Sequence, residues 1–164
     1  MRKWIHIQAE KCTGCRLCQL ICSYHNFQNL SLARSRIKVF YYPPGFDVPT
    51  LCYHCDNPKC ISACPSKAIS KKKDLVVINE ALCDGCGECV SVCPYTGIFL
   101  DSTREKAINC NLCGQCVKEC PTECLTFKDV KDEGLSIDEQ ARRVREKLFE
   151  SLESSGYGRR LNDE

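Results

Sequence analysis

The amino-acid sequence predicts an α+β fold of two small modules, one inserted into the other, followed by a C-terminal helix. Three observations predict it. Cysteines fall in four runs of four, which take all but one of the 17 in a chain of 164 residues. Short β-branched or apolar stretches stand before and after those runs, as strands would. The segments joining the runs differ in length, so that one hairpin closes some pairs of runs more readily than others.

The first run is Cys12, Cys15, Cys18 and Cys22, and the second Cys52, Cys55, Cys60 and Cys64. The third is Cys83, Cys86, Cys89 and Cys93, and the fourth Cys110, Cys113, Cys116 and Cys120. Three read C-x2-C-x2-C-x3-C, and the second widens its middle gap to four residues. This is the spacing of bacterial ferredoxins, where the fourth cysteine ligates the other cluster of a pair. The runs therefore predict bacterial-ferredoxin-like modules and four [4Fe–4S] clusters. Each iron of a cube needs one thiolate in a soft tetrahedral environment. Three closely spaced cysteines wrap one cube, and the fourth, on the helix that follows, serves its neighbour. Glycines stand within the runs at Gly14, Gly85 and Gly114, where the backbone must approach closely or take a positive φ. The second run has Tyr53-His54 in its first gap, which predicts a differently built loop. Proline follows the last cysteine at Pro65, Pro94 and Pro121, but the first run has Ser23.

Zinc and disulfides fit less well. Structural zinc sites use two separated cysteine pairs, often with histidine. Disulfide frameworks belong to short secreted chains, and many of these cysteines are too close in sequence to bridge one another.

The elements follow in order. Residues 5–8 alternate and predict a first strand; residues 37–41 are β-branched and aromatic and predict a second. Tyr41-Tyr42-Pro43-Pro44-Gly45 reads as a turn or docking loop. After the second run, Ala68-Ile69-Ser70, the polar turn Lys71-Lys72-Lys73-Asp74 and Leu75-Val76-Val77-Ile78 predict a hairpin. Gly97-Ile98-Phe99-Leu100 closes the third run, Ala107-Ile108 leads into the fourth, and Leu125-Thr126-Phe127 follows it. The linker from Cys64 to Cys83 is 18 residues, enough for one hairpin, whereas 29 separate the first and second runs.

Runs two and three thus predict an inserted module at 50–101, and runs one and four an outer module at 1–49 and 102–130. The ligand sets that follow are Cys12, Cys15 and Cys18 with Cys120, and Cys110, Cys113 and Cys116 with Cys22. Within the insert they are Cys52, Cys55 and Cys60 with Cys93, and Cys83, Cys86 and Cys89 with Cys64. Sequential pairing, run one with two and three with four, stays open.

Residues 131–164 predict a helix and tail. Ser136-Ile137-Asp138-Glu139 is a capping box, and Ile137, Ala141, Val144, Leu148 and Leu152 share one helical face. Arg142, Arg143, Arg145 and Lys147 decorate the rest. Such a helix packs on its own body or docks on a partner, and Ser154-Ser155-Gly156 ends it.

The formal charge is +2, with 23 Lys+Arg against 21 Asp+Glu. Four oxidised cubes with their thiolates bring the holoprotein to about −6, which argues against nucleic acid as a partner. No stretch approaches the length of a membrane span, and no leader precedes Cys12, so a soluble, cytoplasmic protein is expected. One Trp and one Met imply an interior that is partly inorganic, and an apo chain that folds poorly.

Cys124 reads as a small buried hydrophobe, with a replacement ligand as the alternative. His6, His25 and His54 are isolated and read as surface or packing residues, with tuning of a cluster potential by hydrogen bonding as the alternative for His54, which lies within a cluster loop. The chain offers no GxGxxG, P-loop or nucleophile–base pair, so no catalytic residue is predicted.

The four runs, over roughly the first 127 residues, resemble those of four-cluster electron-transfer subunits of multi-enzyme oxidoreductases. Lys11-Cys12-Thr13-Gly14-Cys15-Arg16-Leu17-Cys18, with Cys22-Ser23 and Ser35-Arg36-Ile37, resembles the compact ferredoxin-type subunits of carbon monoxide dehydrogenases and tungsten aldehyde oxidoreductases. That resemblance implies the nested pairing and a non-catalytic electron-transfer role. It also implies a larger catalytic metalloenzyme subunit as partner, a tungsten-pterin enzyme foremost, with a flavoprotein or ferredoxin as exchange partner. Carbon monoxide dehydrogenase, a hydrogenase or service as a free polyferredoxin are the alternatives, and a metal-binding sensor module ranks below them.

Overall fold

The computed structural model describes residues 3–43 and 45–129, and further on residues 139, 142, 143, 145, 146 and 150. Eight strands and four helices occur among the described residues. They run β1 (Lys3–Ile7), α1 (Leu17–Phe27), β2 (Ile37–Tyr42), β3 (Phe46–Leu51), α2 (Lys59–Ala63), β4 (Ile69–Lys72), β5 (Leu75–Ile78), α3 (Glu88–Ser91), β6 (Ile98–Leu100), β7 (Ala107–Asn109), α4 (Gln115–Lys118) and β8 (Leu125–Asp129). The result is a small mixed α/β protein with ferredoxin-like domains.

The strands pair two by two, all antiparallel: β1 with β8, β2 with β3, β4 with β5, and β6 with β7. Ile5 lies opposite Phe127, so strands from the two ends of the described body close on each other. A two-stranded ribbon is marginal alone. These are held by packing: α1 lies against α4, and α2 against α3. Trp4, Ile5, Ile37, Leu51, Ile98 and Leu125 are fully buried, and eight of the ligand-type cysteines are buried among them. Sulfur forms part of the core.

Helix length follows the residue after each fourth cysteine. Proline bars the residue before it from helical conformation, and α2, α3 and α4 last only 5, 4 and 4 residues. The chain then turns the same way three times. Lys67, Thr96 and Glu123 take positive φ, and their N–H groups each donate to the carbonyl of Cys64, Cys93 or Cys120 at 3.3 Å. Ser23 imposes no such stop, and α1 runs for 11 residues through Cys22. The buried Ser23 hydroxyl then donates to the Asn29 carbonyl and accepts from the Ser31 N–H at 2.9 Å, fastening the exit loop to the helix.

Asp101 is buried where the chain leaves β6. Its carboxylate accepts from Arg34 Nε and Nη2 at 3.3 Å and from Arg104 Nε at 2.9 Å, while Thr103 N–H donates to its other oxygen at 2.9 Å. The Arg34, Arg36 and Arg104 guanidiniums all lie over the Phe27 ring, 4.7 to 5.3 Å from its centre.

In the C-terminal segment the described positions Glu139, Arg142, Arg143, Arg145, Glu146 and Glu150 are helical. Arg142 and Glu146 form an i,i+4 ion pair at 3.7 Å, and Arg145 Nη1 donates to Pro94 O at 3.4 Å. The apolar face read from Ile137, Ala141, Val144, Leu148 and Leu152 lies outside the described residues, as does the tail. No helix of the described residues is long and apolar enough to cross a membrane.

Candidate iron–sulfur centres

Each cysteine loop turns on left-handed residues. Gly14, His54, Gly85 and Leu112 occupy the first gaps at φ 67°, 53°, 77° and 56°. Arg16, Gly87 and Gly114 occupy the second gaps at 58°, 82° and 76° and open helices α1, α3 and α4. The second run is therefore not built differently in its first gap. His54 takes the left-handed conformation that the glycines take, a region in which histidine is enriched among non-glycine residues. Its side chain is buried and its Nδ1 accepts the Val76 N–H at 3.0 Å. The difference falls in the longer second gap, where Pro58 opens α2 in an extended conformation.

Two sets of cysteines line cavities. Cys12, Cys15, Cys18 and Cys120 line one cavity of about 310 Å³, counted out to its open mouth, and Cys124 lines it with them. Cys52, Cys55, Cys60 and Cys93 line a second of about 340 Å³, likewise counted out to its open mouth, together with Tyr53, Val76, Tyr95 and Ile98. Charge on Cys110, Cys22, Cys18 and Cys113 opposes ionisation of Cys116, and charge on Cys83, Cys64 and Cys86 opposes that of Cys89.

Protein dipoles point at these sulfurs. Gly97 N–H donates to Cys93 Sγ at 3.3 Å, Ala107 N–H to Cys83 Sγ at 3.4 Å and Leu112 N–H to Cys110 Sγ at 3.3 Å. Side chains add Asn109 Nδ2 to Cys52 Sγ at 3.6 Å and Asn26 Nδ2 to Cys22 Sγ at 3.7 Å. Ser66 and Thr122 hydroxyls stand 3.6 and 3.8 Å from Cys64 and Cys120 Sγ. No sequence pattern singled out Asn26 or Asn109; the nearest signal was that each lies close in sequence to a run.

Burial governs the acidity of the inner thiols. It pushes Cys18, Cys60 and Cys110 up to about 12, and Cys52 and Cys89 to about 11, with neighbouring cysteines adding to the rise. Burial opposes ionisation of Cys64 and Cys120 too, but hydrogen bonds led by Ser66 at Cys64 and by Leu125 N–H at Cys120 outweigh it and lower both. A bound metal cation would deprotonate such thiols outright. Among the described residues no three His, Cys, Asp or Glu side chains converge on the point a single metal ion would take. Four cysteines line each of the two cavities, and a soft set of four thiolates fits a [4Fe–4S] cluster.

A 4Fe–4S dicluster domain model matches residues 45–130, and a 4Fe–4S binding domain model matches residues 9–25. The chain belongs to the 4Fe–4S dicluster-domain family, whose members bind [4Fe–4S] clusters. Among curated relatives, the polyferredoxin-like subunit of an aliphatic sulfonate oxidoreductase from Pyrococcus furiosus is 44% identical over 95 residues, 57% of this chain and 55% of that protein. A tetrathionate reductase subunit from Archaeoglobus fulgidus is 36% identical over 108 residues, 63% of this chain and 51% of that protein. The chain spans about half the length of these relatives. Among solved structures, the active-site complex BamBC of benzoyl coenzyme A reductase with benzoyl-CoA aligns with 99% of this chain and 95% of its own, at 24% identity and a TM-score of 0.44. That likeness is too weak to bear on function.

Proposed function

We propose that this chain is a non-catalytic electron-transfer subunit that holds four [4Fe–4S] clusters and relays electrons to or from a larger catalytic partner. The observation that carries the proposal is the sequence of neighbours among the four cysteine groups. Cys89 lies within electrostatic reach of Cys60, Cys52 of Cys110, and Cys116 of Cys18. These influences support a row of four groups, and Cys86 and Cys15, one in each terminal group, are exposed. The ligand sets we propose are Cys83, Cys86, Cys89 and Cys64; Cys52, Cys55, Cys60 and Cys93; Cys110, Cys113, Cys116 and Cys22; and Cys12, Cys15, Cys18 and Cys120. Nesting of 50–101 within 1–49 and 102–130 is supported by the β1–β8 pairing and by α1 lying on α4 while α2 lies on α3.

Bound clusters supply one-electron redox capacity, with potentials set by net charge, hydrogen bonds to sulfur and solvent exposure. The chain's own contribution is to leave no cysteine of the two inner groups exposed and one cysteine of each end group at the surface, and to aim N–H groups at sulfur.

For the partner we propose a tungsten-pterin aldehyde oxidoreductase-type subunit in the cytoplasm, on the resemblance of the runs, with a flavoprotein or ferredoxin exchanging electrons at the other end. The relatives named for sulfonate and tetrathionate enzymes favour, as a second reading, a catalytic subunit acting on a sulfur compound. Residues 131–164 are proposed as part of the docking contact.

Anaerobic purification of the native complex tests this. About 16 iron and 16 sulfide per chain are expected, four of each per cube, together with a larger metal-containing subunit. The lone chain should pass electrons from dithionite to artificial acceptors and turn over no aldehyde, formate or carbon monoxide. Removing residues 131–164 should weaken assembly and leave iron in place. Stoichiometric zinc with little iron, or substrate turnover by the lone chain, overturns the proposal.

A further inference from the structure

Asn109 ends β7, immediately before Cys110, and is 6% exposed. Its backbone carbonyl accepts from Arg36 Nη1 at 3.4 Å. Its side-chain amide reaches the other way, into the inserted module. Nδ2 donates to Val76 O on β5 at 2.8 Å and stands 3.6 Å from Cys52 Sγ.

The first bond decides the second. Val76 O is an acceptor, so the NH2 end of the amide must face it. A primary amide carries two N–H donors on one nitrogen, and with one spent on Val76 the other is left for the sulfur. The rotamer is pinned by a bond that has nothing to do with metal. Cys52 is itself buried, walled by Tyr53 and Val76, both buried, so the dipole acts in a dry site where electrostatic effects are large.

We propose that Asn109 is a tuning residue for the cluster held by Cys52, Cys55, Cys60 and Cys93, raising its reduction potential through an amide N–H donated to Cys52. The inference rests on the ligand sets of the preceding section. A donor aimed at a thiolate sulfur stabilises the more negative, reduced state of the cluster more than the oxidised state. It acts from the residue bonded to Cys110, so a single side chain spans the gap between the two inner groups. Asn26 makes the corresponding contact from helix α1, its Nδ2 donating to Cys22 O at 2.8 Å and standing 3.7 Å from Cys22 Sγ.

A purely structural role would tie β7 to β5 and no more. The two are separated by redox titration of the anaerobic holoprotein followed by electron paramagnetic resonance. In Asn109→Leu, one of the four clusters should become harder to reduce. At a fixed potential its reduced-to-oxidised ratio should fall about threefold, the worth of a fraction of one net hydrogen bond, with the other three unmoved and iron content unchanged. Four intact clusters with unmoved potentials overturn the inference while leaving the cluster reading in place; low iron in the wild-type chain overturns both. A second measurement covers a variant that fails to assemble. In Asn26→Leu protein grown with asparagine labelled with 15N at the side-chain amide, pulsed resonance of the reduced clusters should detect a nitrogen coupling from Asn109. Its absence overturns the inference.

Discussion

Cys124 stands beside Cys12 in the lining of the cavity they share with Cys15, Cys18 and Cys120. Its closeness is the main cause that lowers the Cys12 thiol to about 7 despite the opposing effect of burial. Cys124 is raised in turn, with burial adding to the rise. Four residues past the fourth cysteine of the other runs stand Asn26, Ala68 and Gly97, none with a thiol. Five sulfurs therefore meet where a cube takes four.

With four cysteines already in that ligand set, Cys124 is expected to act as a donor to a ligand. Cys124→Ala should keep full iron and sulfide and make the cluster at Cys12 harder to reduce. Iron analysis with redox titration checks it. A loss of about a quarter of the iron, one cube in four, would instead make Cys124 a ligand.

Ser23 carries a second prediction. It lies inside α1, where proline would remove an i→i−4 hydrogen bond and clash with the preceding turn, at about 3 kcal/mol or more. Ser23→Pro restores the residue the other three runs have, and it should nonetheless destabilise the holoprotein and lower its iron, because the Ser23 bonds to Asn29 and Ser31 go with it. A variant as stable as wild type to thermal unfolding would show that the longer helix is dispensable.

These two sites mark where sequence reasoning reached and where it stopped. Cysteine spacing is a local signal with a strict chemical meaning, so the cluster type and the short helices before Pro65, Pro94 and Pro121 were legible. The strands at 3–7, 37–42, 69–72, 75–78, 98–100, 107–109 and 125–129 were legible in outline because β-branched residues bounded by turns mark them. Strand β3 was not: Pro49 removes a ladder donor and reads against a strand, yet it sits opposite Val39 in a two-stranded ribbon whose outer edge needs no donor. The His54 turn was missed because a left-handed residue without glycine leaves no compositional trace. Asn26, Asn109 and the Asp101 clasp were missed for a further reason. Their partners lie 4, 57 and 67 residues away, and apart from Asn26 only the fold brings them together.

Gly97 gives a third prediction, set by space. A Cβ there would stand 2.6 Å from Leu51 O and 2.7 Å from Cys52 Cα, both backbone atoms that cannot swing aside. Its N–H also donates to Cys93 Sγ, so any shift moves two cysteines of one group. Gly97→Ala should cost about 1–3 kcal/mol and preferentially disturb the cluster at Cys52 and Cys93. Denaturant unfolding and the redox titration both check it, and an unaltered midpoint would refute the close approach.

Asp101 supplies the fourth, with a defined pH dependence. Burial alone would raise its carboxyl, but the Thr103 N–H, Arg104 and Arg34 outweigh burial and hold it below the usual carboxylate range. A group lowered on folding contributes stability that is complete above its unfolded value, near pH 4, and lost as pH falls through the lower folded value. Asp101→Asn keeps the shape and removes the charge. It leaves Arg34 without its carboxylate, while Arg104 keeps Glu80 at 2.7 Å. The variant should therefore unfold with a loss of about 1–3 kcal/mol. Because the window of loss lies below about pH 4, that gap should stay constant between about pH 5 and about pH 8. Denaturant unfolding of both proteins across that range is the measurement. A gap that closes before pH falls to about 5 would mean that Asp101 titrates as an ordinary or raised carboxyl, and that the two arginines do not hold it.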